Sequence, residues 1–136
     1  MPIEFLLSRK LTPFGLVSDP RIPVTVYTHG GVRTYRFLVG TGADFSLAPR
    51  RLAEEVGLEW DDLHEGNVVG IERQGTAARL GRLQIRIGTI DLAIRCLFVD
   101  GPRVPFILGR ADFLDRFVLI VDTPGDRIIL EDVGSS

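Results

Sequence analysis

The sequence predicts a mainly β domain, an antiparallel barrel or sandwich with two brief helices, on three observations. Apolar residues recur at every second position in several segments, glycine or proline pairs separate those segments, and helical periodicity is confined to two short stretches. A chain of 136 residues fits one domain and can bury a hydrophobic core without disulfides or metal.

In chain order, Ile3, Phe5 and Leu7 alternate in an N-terminal segment, residues 1–21, suited to an edge strand, an interface or a cover over a cleft. The main domain is expected over 22–131, with a frayed tail at 132–136. Ile22 to Thr28 reads as a strand, His29-Gly30-Gly31 as a turn, and Val32 to Val39 as the returning hairpin partner. In Leu83 to Ile87 the apolar residues take alternate positions. Gly88-Thr89 turns the chain, and Ile90, Leu92, Ile94, Cys96 and Phe98 continue the pattern. Val118 to Asp122 and Ile128 to Leu130 flank Pro124-Gly125, a pair suited to the centre of a turn. Pro49 to Val56 has proline at its start and Gly57 past its end, the asymmetry of a short helix. Arg110 to Phe117 places Phe113, Leu114 and Phe117 on one helical face.

Sixteen basic and eighteen acidic residues leave a net charge of -2, which supplies no pull toward nucleic acid or an anionic membrane. No segment approaches the roughly 20 apolar residues of a membrane helix, and the N-terminus lacks the pattern of a signal peptide. A single cysteine, Cys96, excludes an intrachain disulfide. These features together set the expectation of a soluble cytoplasmic protein. His29, His64 and Cys96 fall in a turn, a polar loop and an apolar strand, so no metal site and no cofactor is expected. The serines lack the setting of an activated nucleophile. Trp60, after the first helix, reads as a packing lid.

The apolar run Phe37-Leu38-Val39 ends in Gly40-Thr41-Gly42-Ala43-Asp44. A dinucleotide loop would need a third glycine where Phe45 stands and a long helix directly afterwards, and both are missing. The segment from Phe37 to Leu58 instead resembles the active-site segment of the retropepsin-like aspartic proteases, in which an apolar strand ends in Asp-Thr-Gly-Ala-Asp or a near variant. Pro105 to Phe117, "PFILGRADFLDRF", resembles that family's second signature, and Val68 to Gly88 lies where the family has its flap hairpin. The resemblance spans roughly Ile22 to Leu130 and implies a closed β-barrel of the acid protease type with one or two short helices.

It also implies a mechanism and a partner. Peptide hydrolysis would use water held between two carboxylates that share one proton, because like charges about 3 Å apart cannot both ionise. With one such loop per chain, the resemblance implies a homodimer, its peptide or protein substrate lying in the cleft between protomers. Thr41 would bond across the two-fold axis, Gly42 would allow close approach of substrate, Asp44 would pair with Arg110 and face the substrate, and Gly70 and Ile71 would lie near the flap tip. The departure is at Gly40, which stands where the family has its catalytic Asp. Without a carboxylate there, no general base remains, and the chain is expected to be inactive. Asp122, in Asp122-Thr123-Pro124-Gly125, is expected to serve a β-turn rather than to replace the acid. Two functions follow: an inactivated form of a working protease, or a natural pseudoprotease that binds peptide or serves as a dimeric interaction module. An unrelated β-barrel binding module is disfavoured by three motifs in order.

Overall fold

The computed structural model describes residues 2–66 and 77–134. From the N-terminus, β1 (Pro2–Leu6) is followed by β2 (Ser8–Thr12), β3 (Gly15–Asp19), β4 (Arg21–Thr28) and β5 (Gly31–Val39). Strand β6 (Ser46–Pro49) leads directly into helix α1 (Arg50–Glu55), which a 3-10 turn, Trp60–Asp62, separates from β7 (His64–Gly66). Two ten-residue strands follow, β8 (Ala78–Ile87) and β9 (Ile90–Val99). The short β10 (Ile107–Leu108), the 3-10 turn Leu114–Arg116, β11 (Phe117–Asp122) and β12 (Arg127–Asp132) complete the order.

Strands β4, β5, β10, β6, β9 and β8 are hydrogen-bonded in that sequence, and β8 pairs back onto β4 through Thr25↔Arg86 and Val26↔Ile85. The sheet therefore closes into a barrel and leaves no free edge among those six strands. Alternation places the core: Ile22, Val24 and Val26 of β4 face Leu83, Ile85 and Ile87 of β8 and Leu92, Ile94, Cys96 and Phe98 of β9, all buried. A second sheet, ordered β1-β12-β11, lies outside the barrel and adds Ile128 and Leu130 to the core. β1 pairs antiparallel with β12, and Ile3 and Phe5 pack against the core with Leu7 buried beyond them. The N-terminal alternation thus forms an edge strand of this chain's own sheet. No helix among the described residues is long and apolar enough to cross a membrane.

The two helical expectations met different fates. α1 forms with Leu52 and Ala53 buried, and Gly57 ends the turn at a φ of 84°, a value only glycine adopts without strain. Arg110 to Phe117 is not an α-helix. Phe113, Leu114 and Phe117 are buried as their spacing implied, but Asp112 sits at a φ of 66° and breaks the backbone. Its carboxylate accepts hydrogen bonds from the Arg95 backbone N–H at 2.9 Å and from Nε and Nη2 at 2.8 and 3.1 Å. Those bonds hold Asp112 in the left-handed region that Asp tolerates better than most residues, leaving only a 3-10 turn afterwards.

Candidate active site

The Gly40–Phe45 loop is built by the meeting of three strands. β10 runs parallel to β5, with Ile107 opposite Leu38 and Leu108 opposite Val39, and antiparallel to β6 through Ile107↔Leu47. The loop leaves β5, turns, and returns as β6 on the other side of β10. Its backbone is bonded at four points. Gly40 N–H donates to Leu108 O at 2.9 Å, and Ala43 N–H donates to Gly40 O at 3.1 Å. Arg110 N–H donates to Ala43 O and Ala111 N–H to Asp44 O, both at 2.9 Å.

Beneath the loop, the buried Ser46 hydroxyl accepts the Gly109 N–H at 3.0 Å. Gly109 has no room for a side chain, since a Cβ there would press on the backbone of Phe45 and come within 2.7 Å of Ser46 N. The loop and the Gly109 segment therefore lie in backbone contact, which explains why the second signature needs glycine at that point.

On the outside of the loop, Arg110 binds the Asp44 carboxylate through Nη2 and donates through Nη1 to Thr41 O at 2.7 Å. One guanidinium thus fixes both ends of the turn. Asp44 and Arg110 are brought together as the resemblance implies, in an exposed position. Thr41 and Gly42 are also exposed, and among the described residues the Thr41 hydroxyl forms no hydrogen bond. Phe45, at the loop's end, carries the Arg95 guanidinium 5.2 Å from its ring centre.

At position 40 there is no side chain, and the space is tight. A Cβ on Gly40 would lie 2.6 Å from Cγ2 of Ile107 and 3.4 Å from Leu108 O. Ile107 is therefore part of the site; it lies within the second signature, Pro105 to Phe117, but its contact with position 40 is a packing relationship that the segment alone does not reveal. Ser46 is equally inconspicuous; its one signal is a polar residue at the start of an otherwise apolar strand.

Gly70 and Ile71 lie outside the described residues. The arms that would carry them are visible: β7 pairs antiparallel with the start of β8, with Gly66 opposite Ala78 and His64 opposite Leu80. Arg79, in the second arm, donates to Trp60 O at 2.7 Å and lies 4.9 Å from the indole centre. Arg50 approaches the same ring at 4.6 Å, so Trp60 packs between two cations over the core.

Asp122 serves its turn. Its carboxylate accepts from Gly125 N–H at 3.0 Å and from Arg127 Nε at 2.8 Å, and the Arg127 contact holds its pKa below the usual carboxylate range. His29 and His64 are both exposed. Cys96 is fully buried, and that burial pushes its thiol pKa well up. Among the described residues, no group of three His, Cys, Asp or Glu side chains could hold a metal ion.

A model of the aspartyl protease family matches residues 22–111, which is more than half of the chain, and the chain belongs to that family. Its fold is retropepsin-like. The structure is similar to a retropepsin-like aspartic protease from Rickettsia conorii, with a TM-score of 0.65 and 20% identity over 96% of this chain and 91% of that one. It is also similar to the retroviral protease-like domain of Ddi1 from Leishmania major, with a TM-score of 0.60 and 19% identity over 87% of this chain and 96% of that one. No curated protein sequence matches the chain.

Proposed function

We propose that this chain is the protomer of a homodimeric aspartic endopeptidase whose acid has been replaced by Gly40, so that it binds in the manner of the protease and does not hydrolyse. The observation that carries this reading is the contrast within one loop. Thr41 to Asp44 is held in place by Arg110, the Leu108 carbonyl and the Ser46–Gly109 bond, while position 40 offers no carboxylate. A half-site of this kind needs a second copy to face it, and the exposed Thr41 and Gly42 are the residues available to meet that copy. In the active form, one carboxylate at position 40 of each protomer would share a proton. The ionised one would take a proton from water as the water attacks the scissile carbonyl, and the protonated one would hydrogen-bond the carbonyl oxygen. A cytoplasmic setting belongs to the same reading, resting on the lone buried thiol of Cys96.

The test is Gly40→Asp, assayed for cleavage of a peptide library at acidic and neutral pH. Gain of pepstatin-sensitive cleavage supports the disabled protease; a folded, dimeric and inert variant sinks it. One observation favours a second reading, in which Gly40 is natural and the cleft binds extended peptides without cutting them. Ile107 Cγ2 occupies the space beside position 40, as it would if the packing were adapted to glycine. Saturable binding of library peptides by the unaltered chain, with the Gly40→Asp variant inert, would decide for it.

A further inference from the structure

The hairpin of β2 and β3 stands apart from both larger sheets as a two-stranded sheet of its own. Such a ribbon is marginal in water unless something packs on it. Here its apolar residues face solvent: Phe14 is 100% exposed, Leu11 80% and Leu16 65%. Leu11 and Leu16 are cross-strand partners, so their side chains share a face next to Phe14 at the tip. The tip itself is well formed. Thr12 Oγ1 donates to Gly15 O at 2.7 Å and accepts from Phe14 N–H at 3.1 Å, with Gly15 at a φ of 118°. A shaped turn that presents a bare phenylalanine, below a pair of bare leucines, is an apolar surface of the kind that marks an interaction site.

The base of the hairpin says which partner. Pro20 O, one residue past β3, accepts the Val39 N–H at 2.9 Å, and Arg21 lies opposite Leu38. The hairpin therefore springs from the end of β5 at which Gly40 begins the half-site loop. On its other side Arg9 Nη2 reaches Asp126 Oδ1, 2.9 Å away, in the β11–β12 turn. An arm rooted beside the half-site loop is placed to reach whatever faces that loop.

We infer that the β2–β3 hairpin is a dimerisation clasp, which buries Phe14, Leu11 and Leu16 against a second copy of this chain and so holds the two half-sites together. This rests on the homodimer reading above. The contact is isologous, each hairpin engaging the partner in the same way about the two-fold axis. Apolar anchors at the centre of such a contact carry most of its strength.

The experiment is sedimentation velocity on the full chain over a concentration series, with Phe14→Lys, Leu16→Lys and the conservative Phe14→Leu. The unaltered chain and Phe14→Leu should form dimers. Each lysine variant should weaken the dimer by roughly tenfold or more, with circular dichroism and urea midpoint of the monomer unchanged because both positions are exposed. Dimers that persist unweakened in both lysine variants overturn the clasp and leave the homodimer reading standing. An unaltered chain that stays monomeric at every concentration overturns both. A lysine variant that loses β structure is replaced by Leu11→Lys on the facing strand: a weakened dimer there supports the clasp, and an unweakened one overturns it.

Discussion

Arg110 ties Thr41 to Asp44: its Nη1 donates to the Thr41 carbonyl at 2.7 Å while its Nη2 binds the Asp44 carboxylate. The two acceptors bracket the exposed part of the loop, so one planar fork fixes its curvature. Arg110→Ala should lower stability by about 1 kcal/mol, or a few degrees in Tm, mostly through the lost carbonyl bond, because solvent screens the exposed ion pair. Arg110→Lys should recover little, since an ammonium cannot make both contacts in the same plane. Full recovery by lysine in a thermal melt would contradict the fork.

Ser46→Ala leaves the buried Gly109 N–H without its acceptor. The expected cost is about 1–3 kcal/mol by urea denaturation, with an unchanged denaturant slope. A neutral result would show that the amide finds another partner.

Gly109→Ala is expected to be far worse. The added methyl meets backbone atoms of Phe45 and Ser46, which cannot rotate aside as a side chain can. A loss of roughly 3 kcal/mol or more, read as failure to recover folded protein at about 37 °C, is the predicted outcome. A folded variant with near-normal Tm would mean that the two segments can separate freely.

Gly40→Asp should itself cost about 1–3 kcal/mol, because Ile107 must move from beside the new Cβ. Ile107→Ala removes the obstructing methyl. In the double variant the cost of the aspartate should fall by about 1 kcal/mol, measured as a coupling energy in a double-mutant cycle. Strict additivity would show that Ile107 is not what opposes a side chain at that position.

Four aspartates fix the acid limb of stability, Asp91 beside Arg86 together with Asp112, Asp122 and Asp132. Arg116 forks onto Asp132 with bonds of 2.9 and 3.0 Å and holds its pKa down at about 2, from an ordinary 3.8. Arg95 and Arg127 likewise hold Asp112 and Asp122 below the usual range. Because these values are depressed in the folded state, the ions stabilise it at any pH above the ordinary carboxylate range. That support fades as pH falls from about 4 towards 2. Tm should drop through that window, and Asp132→Asn should lower Tm at neutral pH and flatten the drop. An unchanged acid limb in the variant would remove Asp132 from the account.

Much of the barrel is readable in the sequence because its strands have one wet and one dry face. Leu83, Ile85 and Ile87 announce β8, and glycines mark the turns that join β4 to β5 and β8 to β9. The hairpin of β2 and β3 leaves no such trace, since both its faces are largely exposed and its residues follow no period. β10 is too short for any pattern, with only Ile107 and Leu108, and exists because two longer strands flank it. The turn at Asp112 is hidden for a similar reason: the apolar spacing around it suits a helix, and only Arg95, 17 residues away in sequence, overrules it. In the site, the loop residues can be found from their order, but Ser46 and Ile107 act through backbone and packing contacts that a linear string does not display.

The chain's one thiol has a practical consequence. Cys96 is sealed in the core, and the same burial that raises its pKa leaves almost no thiolate to react with a maleimide or a disulfide. A cysteine introduced anywhere on the surface would then be the single reactive handle. Spin labels or fluorophores at the hairpin tip or on β7 could report whether two copies of the chain approach one another, and at what distance, from the native background, with no cysteine removed first.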